Sequence, residues 1–266
     1  MIYTSYDMIR DCRAGRAAGW SYFIANYVPV VRRILAHYVP DSADQLLEPV
    51  LRAVRQAESS LFASMEPSPE RWFVAELRQQ VLAAAEAVQS AAKPEIPVDL
   101  ETVATALEGL TLAEKQAAWL ESMRYDAPQT GVLLRMDPKT VEKIRSKAAE
   151  ALRGKVDTWN RRLMADNGRE LGRAAAAARS AECLPAKAFL DVIDGRTTWR
   201  GREEMEQHVH HCWQCIDHFC RMAEVAGLLR GNIPLPEQEV EAWRQRLGVS
   251  GAKRGGWKRF FGATGR

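Results

Sequence analysis

Three of the chain's five cysteines and three of its five histidines fall between Cys183 and Cys215. The order is Cys183, 24 intervening residues, His208, three residues, Cys212, two residues, Cys215. Four residues apart on a helix, His208 and Cys212 share one face a turn from each other. A short Cys-x2-Cys turn returns the Cys215 thiol to the same point, and Cys183 closes the set from a neighbouring helix. Three thiolates and one imidazole make the closed tetrahedral shell that structural zinc prefers, so one Zn2+ held by Cys183, His208, Cys212 and Cys215 is expected. His210 and His211 are alternative imidazoles, and His211 faces away if the segment is helical. Cys220 lies five residues past Cys215 and fits the set poorly. Cys12 reads as a buried thiol. An iron–sulfur cluster fits less well, because the common clusters use four thiolates. The competing reading is a set of buried apolar thiols with solvated histidines. Against it, the stretch EEMEQHVHHC is too polar for a plain core helix.

Elsewhere the dominant signal is helical. Trp20, Phe23, Ile24, Tyr27, Val28, Val31 and Leu35 recur at three- and four-residue steps, which puts them on one helix face. Leu46, Leu47, Val50, Leu51 and Val54 do the same. Ser68 and Pro69 read as cap and first position of a helix that turns Trp72, Phe73, Leu77 and Val81 inward. No run alternates as a strand would, so the chain is expected to be all-α. It has no stretch of 18 apolar residues, and its first residues lack the pattern of a secretory signal. A cytoplasmic location follows, where thiols stay reduced and clustered cysteines point to metal.

With 266 residues the chain is long for one domain. Residues 1–90 read as a helical domain and 91–101 as a linker, because AAKPEIPVDL breaks the periodicity with two prolines. Residues 102–158 contain a capping box, TLAE at 111–114. A short helix opens at Pro128, and a longer one follows Asp137-Pro138, with Val141, Ile144, Ala148 and Leu152 on one face. That order is a helix-turn-helix. Residues 159–182, rich in Arg and Ala, read as a helical spacer with little to bury. Residues 183–231 form the zinc block, and 232–266 a C-terminal segment ending in a basic tail. The tail, GAKRGGWKRFFGATGR, reads as disordered, with contact to anionic lipid or nucleic acid as the alternative.

The net charge of +3 is too small to identify a polyanion partner by itself. Position is more informative. Residues 138–155 carry Lys139, Lys143, Arg145, Lys147, Arg153 and Lys155 against Glu142 and Glu150. Basic side chains there neutralise phosphates, and Lys139, Thr140 and Lys143 near the helix start reach toward base edges. The bland counterpart is a helical hairpin with a solvated basic face.

Residues 180–230 resemble the zinc-binding anti-sigma domain: a leading Cys, a helix ending in a VIDG turn, an acidic helix, then His-x3-Cys-x2-Cys. Residues 1–156 resemble regions two and four of the extracytoplasmic-function sigma factors. The resemblance rests on the Cys-Arg-x-Gly turn at 12–15, the aromatic helix reaching Tyr27-x-Pro-x-Val31, and the acidic segment at 41–48. It extends through the Trp72 helix and the LEGLTLAEK…TVEKIRSKAAEAL block. It implies two small helical sigma-type domains followed by a zinc-binding helical domain. It further implies RNA polymerase docking through Asp41, Asp44 and Glu48. Promoter DNA contacts would come from Arg71, Trp72, Arg78, Lys139, Thr140, Lys143, Arg145 and Lys147. Trp72 and Phe73 also suit plain core packing, at least one of them. Leu47 stands where the family usually has glutamine, and Pro49 falls inside a predicted helix. Gln129-Thr130-Gly131 replaces the usual Glu-Ile-Ala.

The expectation is a sigma-like transcription initiation protein whose zinc domain packs back on the sigma-like domains or binds another regulator. Covalent fusion would place such an internal partner at an effective concentration of about a millimolar. The alternative is a regulatory interaction protein that no longer initiates. No glycine-rich phosphate loop, nucleophile elbow or open three-ligand metal site is present in the sequence, so no enzyme is expected.

Overall fold

The computed structural model describes residues 2–56, 60–63, 65–89, 95–153 and 161–249. Among these every regular element is helical, and no strand occurs. The basic tail at 251–266, Lys155 and residues 91–94 of the linker lie outside the described residues. No described helix is long and apolar enough to cross a membrane. The chain divides into two units. The first holds residues 1–91 and 228–266, the second residues 92–227.

The first unit is built from α1 (Ser5–Arg13), α2 (Ala17–Tyr38), a single 3-10 turn (Pro40–Ser42), α3 (Ala43–Arg55), α4 (Ser60–Ala63) and α5 (Glu70–Gln89). The Cys-Arg-x-Gly turn ends α1. Gly15 takes the left-handed conformation (φ +68°), and the Arg16 N–H reaches back to the Asp11 carbonyl at 2.8 Å. The periodic face of α2 is the core. Phe23, Tyr27, Phe62 and Phe73 meet at ring-centroid distances of 4.8–6.3 Å, mostly edge to face, with Trp20 at the rim. Ser68 does not cap α5; its hydroxyl is buried without a partner, while its carbonyl accepts from Ser5 Oγ.

Proline inside α2 has a structural consequence. Pro29 lacks an N–H, so the Ala25 carbonyl one turn earlier has no intrahelical donor. The Leu235 N–H supplies one at 2.8 Å, and Asn232 Nδ2 donates to the next carbonyl, Asn26, at 2.8 Å. These bonds seat the last helix of the chain, α14 (Glu237–Arg246), on α2. The C-terminal segment is therefore part of the N-terminal unit, a non-local pairing that local periodicity does not encode.

The second unit contains α6 (Leu100–Ala106), α7 (Leu112–Ser122), α8 (Ala127–Leu134), α9 (Pro138–Arg153), α10 (Arg161–Ala177), α11 (Ala186–Ile193), α12 (Trp199–His211) and most of α13 (Trp213–Leu229). Thr111 and Glu114 form the expected capping box at the start of α7. Asp126 and Gln129 form another on α8, which gives Gln129 a structural task. Arg135 closes α8 at φ +56°, and Asp137 Oδ2 accepts the Thr140 N–H to start α9. Helices α8 and α9, joined by the three residues 135–137, both pack on α7.

The segment read as a spacer has much to bury. In α10, Met164, Asn167, Leu171 and Ala175 are buried. A Cβ built on Gly168 would lie 1.9 Å from the Ser122 carbonyl oxygen, so α10 crosses the end of α7 at a distance that only glycine allows. Asn167 donates to the Ile96 carbonyl and accepts from the Val98 N–H, both at 2.9 Å.

Candidate metal centre and nucleic-acid face

Cys183, Cys212 and Cys215 converge, their sulfurs all within 4.8 Å of one another. Each is placed by a different local device. Cys183 sits in a tight turn after α10, its N–H bonded to the Ser180 carbonyl at 3.2 Å. Cys212 is the junction residue between α12 and α13, in extended conformation. Its carbonyl accepts from the N–H groups of Cys215 and Ile216 at 3.0 and 2.9 Å, and this first turn of α13 swings the Cys215 sulfur back toward Cys212.

The sulfurs are already served by backbone donors. The Ser180 N–H points at Cys183 Sγ at 3.5 Å and the Leu184 N–H at Cys215 Sγ at 3.4 Å. Such donors stabilise thiolate over thiol. Burial pushes the Cys183 thiol up, but the Ser180 N–H and the neighbouring thiols outweigh it and hold the group below its ordinary value. Cys215 lies deeper. Burial, together with the negative charge of its neighbours, pushes it up to about 12. Crowded thiolates repel, and a cation among them reverses that balance.

His208, in the last turn of α12, brings Nε2 to 3.2 Å from Cys215 Sγ. His210 is engaged elsewhere: its Nε2 lies 3.0 Å from the Leu110 carbonyl, and its own carbonyl accepts from Lys115 Nζ at 2.8 Å. His211 is exposed. Cys220 is fully buried against α7, with its sulfur directed at the Gln116 carbonyl, and Cys12 is buried in the first unit.

The helices that carry the thiol cluster bond to α7. Besides the His210 contacts at the start of α7, Trp119 Nε1 donates to Asp217 Oδ1 at 3.1 Å. Asp217 pairs with Arg221 at 2.9 Å, and Arg221 also donates to the Gly172 carbonyl. Helices α7, α10 and α13 are thus joined through one buried carboxylate. Sequence reasoning missed Asp217, Trp119 and Lys115, because each is unremarkable alone and meaningful only through partners 95 to 98 residues away.

The basic residues assigned to DNA divide in two. Lys139, Thr140 and Lys143 are exposed along the start of α9. Lys147 is exposed but ion-paired with Glu114 at 2.7 Å. Arg145 is overturned as a DNA contact. It is 4% exposed, and its guanidinium donates to Thr130 Oγ1 and the Tyr125 carbonyl, bracing the α7–α8 connection. Arg78 is overturned for the same reason: it is 7% exposed, bonds to the Tyr38 hydroxyl and lies over its ring. Arg71 is half-buried, and Trp72 projects outward while Phe73 enters the core. Asp41 and Asp44 are exposed at the start of α3, whereas Glu48 is half-buried and paired with Arg52. Compared with protein-family models, with curated proteins and with solved structures, the chain matches none.

Proposed function

We propose that this chain is a sigma-like transcription protein whose second unit is organised by a structural zinc ion. The observation that carries the reading is the exposure of Lys139, Thr140 and Lys143 at the start of α9, in a helix pair packed on α7, which is itself bonded to the helices α12 and α13 that carry the thiol cluster. In this reading α9 enters the major groove, with Lys139 and Lys143 on phosphates or base edges. Asp41 and Asp44 present an acidic edge to RNA polymerase. Cys183, Cys212 and Cys215 hold zinc with His208 as fourth ligand, at the position from which its Nε2 faces Cys215. A saturated site supplies cross-linking rather than catalysis. Run-off transcription with core polymerase is the test. Promoter-dependent product should form with the wild type and fall steeply with Lys139→Ala/Lys143→Ala.

One observation favours a second reading, a regulatory protein that binds without initiating. Helix α14 already occupies the α2 surface of the unit that would grip polymerase. Polymerase pull-down without transcript would select this reading.

A further inference from the structure

Helix α14 ends in a Schellman turn. Gly248 is left-handed at φ +63°, the Gly248 N–H returns to the Gln245 carbonyl, and the Val249 N–H to the Arg244 carbonyl. The turn satisfies those two carbonyls, and among the described residues no backbone N–H reaches the next three, on Arg246, Leu247 and Gly248. Two arginines from the last turn of α3 take all three. Arg52 donates to the Arg246 carbonyl, and Arg55 to those of Leu247 and Gly248.

The same arginines line a cavity of about 620 Å³, together with Arg13, Trp20, Phe62 and Cys12. That volume suits a small organic ligand. Its cationic groups are unevenly neutralised. Arg13 faces Glu66 at 3.3 Å, but that glutamate side chain is 82% exposed and its charge is well screened. Arg52 pairs with Glu48. Arg55 has no carboxylate partner among the described residues; its acceptors are two neutral carbonyls, and it lies 5.9 Å from the centre of the Trp20 ring. Thus three guanidiniums from two helices border one cavity, and a set of helix-end oxygens stands where an anion's oxygens would be bound. Trp20, Phe62 and Cys12 supply an apolar wall beside them.

We propose that this cavity binds a small phosphorylated molecule carrying a flat ring, and that the ligand competes with the C-terminal end of α14 for Arg52 and Arg55. A guanidinium binds phosphate through two parallel bonds in which donor and acceptor are both charged, whereas a backbone carbonyl offers it only a neutral acceptor. Phosphate oxygens therefore displace the carbonyls, and the ring packs against the apolar wall. Because both occupants use the same donors, ligand binding weakens α14 docking, and α14 docking weakens ligand binding by the same factor.

The test is titration calorimetry on the full chain at low salt with two probes, inorganic pyrophosphate and ATP, followed by hydrogen exchange at saturation. The expected result is saturable binding at one site, tighter for ATP than for pyrophosphate. Arg55→Gln should weaken it at least tenfold and Arg55→Lys by less, while both variants keep the wild-type helical signal. Exchange in residues 237–247 should rise when ATP saturates. Absence of saturable binding by either probe at millimolar concentration would overturn the proposal using the wild type alone. Arg55-independent binding overturns it as well. Unchanged exchange in α14 on saturation overturns the competition. If a single-stranded oligonucleotide binds with Arg55 dependence and neither small probe does, the surface serves nucleic acid and the small-molecule site is rejected.

Discussion

The two units solve the same problem, holding helices together, with different chemistry. In the first, Phe23, Tyr27, Phe62 and Phe73 form a contiguous aromatic centre on the apolar face of a 22-residue helix. Dispersion and burial suffice there. In the second, an apolar core that includes Val103, Leu107, Leu120, Val141, Phe189 and Ile216 is supplemented by polar links at a few points: Trp119 to Asp217, Asp217 to Arg221, Lys115 to His210, Arg145 to Thr130, and three sulfurs within 4.8 Å. Buried polar links stabilise only while every partner is in place, because a lone survivor is left desolvated. The first unit should therefore tolerate the loss of one contact better than the second tolerates loss of one of the three thiols or of the Asp217 carboxylate.

The largest expected effect is at the thiols. Structural zinc supplies on the order of 10–16 kcal/mol of apparent binding energy in small finger peptides. Cys212→Ser should abolish metal retention and unfold the second unit in a thermal melt, while the aromatic signal of the first survives. Joint melting of both units would erase the distinction. Next comes the aromatic centre itself. Phe73→Ala, at a fully buried position, should cost about 3–5 kcal/mol and leave metal content unchanged. Chemical denaturation with metal analysis of the folded fraction checks both halves of that statement. Asp217→Ala removes the shared acceptor of Trp119 and Arg221 and should cost about 3 kcal/mol. Its denaturation curve should show loss in the second unit only.

The smallest effect concerns pH. Burial, with a lesser push from Arg179 and Arg221, lowers His218 to about 4, below its ordinary 6.5. The folded state resists protonation of this ring, so the unfolded state binds more protons in the window between those values. Stability conferred by the neutral ring is present above pH 6.5 and drains as pH falls toward 4. With solvent screening at this partly exposed ring, about 1–2 kcal/mol is at stake. Chevron or melt series on the wild type and His218→Phe should differ in slope across that window and run parallel above it; equal slopes below pH 6.5 would remove His218 from the account.

The helices of the first unit were legible because their information is local. The periodicity of residues 20–35 and the Gly15 turn state their structure within a few residues. Thr111, Glu114 and Asp137 announced helix starts for the same reason. The convergence of Cys183 with Cys212 and Cys215 was also legible, because their spacing follows a metal-ligand pattern that spans the intervening helices α11 and α12. Three things were hidden. The burial of Arg145 and Arg78 depends on acceptors elsewhere in the fold, so composition counted them as surface charge. Residues 159–182 read as a spacer with little to bury, whereas at Gly168 α10 meets the Ser122 carbonyl. Pro29 deprives the Ala25 carbonyl of its helical donor, and nothing local says that Leu235 satisfies it.

Hydrogen exchange before and after chelation tests the central claim, that a metal-held thiol cluster organises the helix-turn-helix unit. Protein purified under reducing conditions should carry one metal per chain. On its removal, α7, α12 and α13 should lose protection together, while α2 and α5 exchange as before. A metal-free protein in which α7, α12 and α13 are as protected as α2 would contradict the account.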